Sequence, residues 1–135
     1  MNILGISAGF HDAGVSVIRD GEILFAAHAE RYSKKKHDEH INNKILAEAL
    51  SHGTPDVIAF YEKPWLKKLR QLYAGQYDQA LDFSDITVSK YLAKHLPGVL
   101  SGRPVFQHYG HHRSHAAAGF QTSPYSRATV VVIDA

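Results

Sequence analysis

Cysteine is absent from the 135 residues. That excludes a disulfide framework, a zinc finger built on thiolates and a thiol nucleophile. A dominant charge sign is also missing. Fifteen Lys and Arg stand against 13 Asp and Glu, a formal net charge of +2, so the composition demands no nucleic-acid footprint. No apolar run approaches the roughly 20 residues that span a bilayer. The basic start and apolar centre of a signal peptide are lacking too, because His11 and Asp12 interrupt the opening segment. Internal repeats, low-complexity tracts and a flexible linker are likewise missing. With 44% hydrophobic and 21% charged residues, the chain has the makings of a globular core. Its expected setting is a reducing cytoplasm, without membrane or nucleic-acid partners. Ten histidines are what the composition offers instead, and they make the protein pH-sensitive.

Patterning along the chain predicts an α/β lobe. Asn2 to Ser7 reads as a short apolar strand. Gly14 to Arg19 and Ile23 to Ala27 read as two more, joined across Asp20-Gly21, a strong hairpin signal. The lobe therefore opens with a three-stranded antiparallel meander. Ala29 to Glu39 is dense in charge and reads as an exposed loop. Ile41, Ile45, Leu46 and Ala49 fall at helical spacing, with Gly53 as the stop. Val57 to Tyr61 suits a buried parallel strand. Pro64 is placed to begin a helix carrying Trp65, Leu66, Leu69 and Leu72-Tyr73. The aromatics Trp65, Tyr73 and Tyr91, at helical spacing with leucines, read as core rather than as a ligand-stacking platform. Ser84 or Asp85 could cap a further helix carrying Tyr91 and Leu92. Pro104 to His108 reads as a strand, His111 to Phe120 as an alanine-rich helix and Ala128 to Ile133 as a last strand. Antiparallel pairing opens this mixed sheet and parallel crossovers extend it between flanking helices.

Three segments could carry chemistry. In Gly110-His111-His112-Arg113-Ser114-His115-Ala116, His111 and His115 share one helix face and could bring two imidazoles to one metal ion. His112 is about 100° around the helix and points elsewhere. The spacing matches that of H-E-x-x-H, but Arg113 holds the third slot, so the glutamate is missing. Two histidines leave coordination incomplete. Asp134, at the C-terminal end of a predicted strand, is a candidate third ligand. A His-rich helix start satisfied by hydrogen bonds is the plainer alternative. The second segment is the small-residue turn Ser7-Ala8-Gly9-Phe10-His11-Asp12-Ala13-Gly14. Its amides could meet an anion, with Gly9 permitting close approach and His11 able to move a proton. Tight-turn chemistry explains the same glycines. The third, Glu30 to Asp38 with Lys34-Lys35-Lys36, could hold phosphate or be a solvated turn.

In this order the motifs resemble one family. Ile3-Leu4-Gly5-Ile6-Ser7 with Phe10-His11-Asp12-Ala13-Gly14 is similar to the start of the O-carbamoyltransferases of the nodulation and antibiotic-tailoring type. Ala29-Glu30-Arg31 with Ser33, Lys36 and His37-Asp38 resembles that family's next segment. Gly110 to Ala116 resembles its most diagnostic motif, and Val131-Val132-Ile133-Asp134-Ala135 a strand bearing a further acidic residue. The resemblance implies a ribonuclease H-like, actin-like ATPase (ASKHA) fold. Residues 1–127 would form its first lobe and residues 128–135 the first strand of a second. It also implies transfer of a carbamoyl group from carbamoyl-adenylate, made from carbamoyl phosphate and ATP, to the hydroxyl of a small acceptor. His111, His115 and Asp134 would bind a divalent metal, described in the family as iron, although zinc or manganese suit the donors. Gly9, His11 and Lys36 would line the nucleotide and carbamoyl site, with His11 and Lys36 as the catalytic pair. The 135 residues alone are expected to be inactive. Two alternatives are a related actin-like enzyme, such as a tRNA threonylcarbamoyl transferase, and a non-catalytic binding lobe.

Overall fold

A computed structural model describes residues 1–9, 12–77, 92 and 102–133. Five strands form one mixed sheet in the order β3-β2-β1-β4-β5. They are β1 (Asn2–Ser7), β2 (Gly14–Arg19), β3 (Glu22–His28), β4 (Val57–Phe60) and β5 (Val105–His108). β1 to β3 are the antiparallel meander, and β4 and β5 extend it in parallel with β1. Four helices accompany the sheet among the described residues: α1 (Glu30–Ser33), α2 (Asn43–Ser51), α3 (Pro64–Tyr73) and α4 (His111–Gln121). This mixed, helix-flanked sheet opening with a meander is consistent with a ribonuclease H-like lobe.

Local chemistry accounts for most of these boundaries. Asp20 and Gly21 both adopt positive φ, 52° and 90°. That makes a two-residue turn whose twist suits the flanking strands. The Asn42 side chain accepts from the amides of Lys44 and Ile45 and so caps α2. Pro64 opens α3, where a missing N–H costs nothing.

Registry separates the sheet into two unlike faces. Phe25, Val17, Leu4, Ile58 and Phe106 lie side by side across the five strands. Together with Ile6 and Val15 they meet Ile45, Leu46 and Ala49 of α2 in the hydrophobic core. One residue further along, the opposite face presents Ala26, Ser16, Gly5, Ala59 and Gln107. Apart from Gln107 that row is small, and it is only partly covered.

Four expectations need correction or fall outside the description. The charged stretch 29–39 is not simply an exposed loop. It begins with the short helix α1, and Asp38 is buried because its carboxylate accepts from the His40 amide while its carbonyl accepts from Ala13. Tyr73 is not core: it is 98% exposed at the end of α3, a helix on which Leu66 and Leu69 are exposed as well, while the Trp65 side chain and Tyr91 lie outside the description. Residues 128–133 form no strand. A strand exists through a neighbour's backbone groups, and none among the described residues pairs with this segment. The helix expected after Ser84 lies outside the described residues, apart from buried Leu92.

Candidate functional site

Because β1, β4 and β5 are parallel, their C-terminal ends share one edge of the sheet. The start of β2 and the end of β3 join them there, since Ser7 faces Gly14 and Gly14 faces His28. The turn after β1, the charged segment after β3 and the entry to α4 all leave from this edge. Ligand sites in α/β sheets gather at such ends.

The entry to α4 is stitched to the end of β4. The Tyr109 amide donates to the Phe60 carbonyl at 2.9 Å. The Ser114 hydroxyl donates to the carbonyls of Tyr61 (3.0 Å) and Gly110 (3.1 Å). Just beyond β4, buried Glu62 binds the Arg70 guanidinium at 2.5 Å and ties α3 to the same corner. Burial, reinforced by the neighbouring Glu62 carboxylate, pushes the Tyr61 phenol up to about 12. It therefore stays a neutral hydrogen-bonding group across the physiological range.

Helical spacing then brings His111 and His115 together. Their Nε2 atoms face each other at 3.2 Å, with ring centroids 4.6 Å apart. Two imidazole nitrogens bound at about 2.0–2.1 Å to one tetrahedral ion would also stand a little over 3 Å apart. The pair therefore fits two positions of a metal's coordination sphere. No group of three His, Cys, Asp or Glu is gathered for a metal among the described residues. Asp134, the expected third ligand, lies outside them, as does His11.

The other cluster surrounds the turn after β1. The Gly9 amide donates to the Glu39 carbonyl at 2.9 Å and the Ala13 amide to the Asp38 carbonyl at 2.8 Å. These two turn amides are spent on the protein and do not offer themselves to an anion. Gly9 keeps its other use: at φ 82° no atom of the described residues lies within 4 Å of where a Cβ would stand, so a ligand could approach the backbone there. Lys36 is exposed on the segment held against the turn, and no ion pair occupies it among the described residues. Hydrogen bonds from the Ser33 hydroxyl and the His40 amide, opposed by burial and aided by Lys35, hold the Asp38 carboxyl below its ordinary range.

Two features of this edge escaped sequence reasoning. Asp12 and His37 meet across the two segments, Oδ1 to Nδ1 at 3.2 Å. Nothing at a separation of 25 residues signals that contact. The second is a groove of about 700 Å³ over the small-residue face of the sheet. Gly5, Ser16, Ala26 and Ala59 floor it, and Tyr109, Arg113 and Ser114 line one side. Another groove of about 700 Å³ runs between α3 and the start of α4, beside His111. Arg113 borders both.

A mixed α/β sheet consistent with a ribonuclease H-like lobe, with a His-x-x-x-His helix at the C-terminal edge of its parallel strands, is the class that fold and site define. The family follows from sequence comparison. The model of the carbamoyltransferase N-terminus matches residues 2–135, and the chain belongs to that family. It is also 33% identical over 154 residues to uncharacterized protein sll1178 of Synechocystis sp.. That match covers 98% of this chain and 25% of the relative, so the chain spans about a quarter of the relative's length.

Proposed function

We propose that the chain is the first lobe of an actin-like O-carbamoyltransferase domain, which moves a carbamoyl group from carbamoyl-adenylate to the hydroxyl of a small acceptor. Carbamoyl phosphate and ATP are the sources of that adenylate. Residues 1–127 make the lobe and residues 128–135 lead into a second, whose strands would supply the pairing that 128–133 lack. The observation that carries this reading is the facing His111 and His115 pair at 3.2 Å on the sheet's ligand edge, in a chain of the carbamoyltransferase N-terminal family.

His111 and His115 would hold two positions of a divalent ion, iron foremost, with zinc or manganese compatible, and Asp134 a third. Such an ion supplies charge neutralisation at the phosphate of a leaving adenylate. The chain's own residues do the rest. Lys36 places a cation where the phosphate and carbamoyl groups lie. Gly9 lets the ligand close on the backbone, and His11 takes the acceptor's proton. Tyr61 and Ser114 keep α4, and with it the histidine pair, fixed to the end of β4. The reaction belongs to a cytoplasmic enzyme acting on soluble small molecules.

The test uses the longest natural polypeptide that carries this chain. Incubated with ATP, carbamoyl phosphate and a panel of hydroxylated small molecules, it should release AMP in step with an O-carbamoylated product. Acceptor-independent consumption of ATP, or transfer to tRNA alone, would overturn the reading. The isolated 135 residues should turn over no carbamoyl phosphate.

A further inference from the structure

Asp12 and His37 share an uncommon conformation as well as a contact. Their φ angles are 50° and 53°, in the left-handed region that most side chains avoid but Asp and His tolerate better. Each sits at the tip of its own segment, and their side chains meet at 3.2 Å. Backbone hydrogen bonds flank this contact on both sides: Gly9 to Glu39, Ala13 to Asp38, and Ala29 to Ala13 at 2.7 Å. Lys36 immediately precedes His37. Strained residues of this kind persist only where their surroundings hold them, and they concentrate at functional sites.

We propose that Asp12 and His37 form a clamp that positions the lysine-bearing segment 34–39 over the turn after β1, so that nucleotide affinity depends on the pair. The inference rests on the carbamoyltransferase reading above and extends it by two positioning residues. Asp12 and His37 touch no reacting atom. They act through Lys36 and the turn. The clamp ties together two segments that depart from different strands of the meander.

Glycine is the discriminating substitution. Asp12→Gly and His37→Gly remove the contact while leaving a residue that adopts positive φ freely. If the pair merely tolerates strain, the glycine variants will bind as the parent does. If it positions the segment, they stay folded yet lose affinity. In the complete polypeptide, each variant should raise the KM for supplied carbamoyl-adenylate about tenfold with kcat within about twofold, the split expected for lost binding. The double variant should lose less than the sum of the two singles, because each substitution removes the same contact. An unchanged KM, or fully additive losses, overturns the clamp. A second measurement is independent of the enzyme's activity. Hydrogen exchange at the Gly9 and Ala13 amides, which bond to the clamped segment, should quicken about tenfold or more in both variants. If those amides stay as protected as in the parent, the clamp is wrong even where the reaction is as proposed. If exchange quickens and nucleotide binding weakens in the variants while the parent forms no carbamate, the clamp stands and the proposed reaction falls; a parent that binds no nucleotide overturns both.

Discussion

The two faces of the sheet follow one backbone to opposite ends. Leu4 and Ile58 point into a core closed by α2, and both are about 1% exposed. Gly5 and Ala59, one residue further along the same strands, floor an open groove. The closed face carries the apolar area that stabilises the lobe. The other forgoes that area and keeps room beside α4 and the ligand edge. Alternation along a strand allows both, since successive side chains point to opposite sides.

Substitutions at adjacent positions sharpen this contrast. Leu4→Ala, or Ile58→Ala, should lower the unfolding free energy by about 2–5 kcal/mol, read by denaturant titration, because a cavity opens in a closed core. At the edge, the proposed metal site predicts that His111→Ala or His115→Ala weakens metal binding about a hundredfold, measured as metal retained at neutral pH. Their stability should stay close to that of the parent, since α4 buries no residue fully. Intermediate in size is Asn42→Ala, which uncaps the helix covering the closed face and should cost about 1 kcal/mol. Asp38 supplies a pH test. Its folded carboxyl is held below the ordinary range, chiefly by the Ser33 hydroxyl. Its stabilisation is complete above the unfolded pKa of about 3.9. It should disappear as pH falls through the lower folded value, and Asp38→Asn should flatten that acid limb of the stability curve. The smallest effect belongs to the open face. Ala59→Val should change stability by no more than about 0.5 kcal/mol, because its added methyl groups enter the groove. A loss as large as that of Ile58→Ala would show that this face is closed after all.

Much of the lobe was legible because its signals are short-ranged. The Asp20-Gly21 turn, the Gly53 stop and the apolar spacing of α2 act within four residues. So does the approach of His111 to His115, which helical geometry alone sets up. Segment 29–39 was misread for the complementary reason. Its lysines mark it as solvated, yet Asp38 within it is buried by partners at Ser33, His40 and, through the backbone, Ala13. Tyr73 was misread because periodicity with leucines marks a face without saying whether another element covers it.

Sequence by itself determined the five strands of the sheet and their hairpin, the end of α2 and the start of α3, the spacing of the histidine pair and the resemblance to a carbamoyltransferase, but it also made a strand of 128–133 that does not form. Tertiary structure alone decided the strand order, which face of the sheet is closed, and the meeting of Asp12 with His37 across 25 residues. The physical reason is range. Turns, caps and helical faces are set by neighbours along the chain. A clamp or a groove exists only once distant segments have been brought to one edge and the space between them is filled or left open.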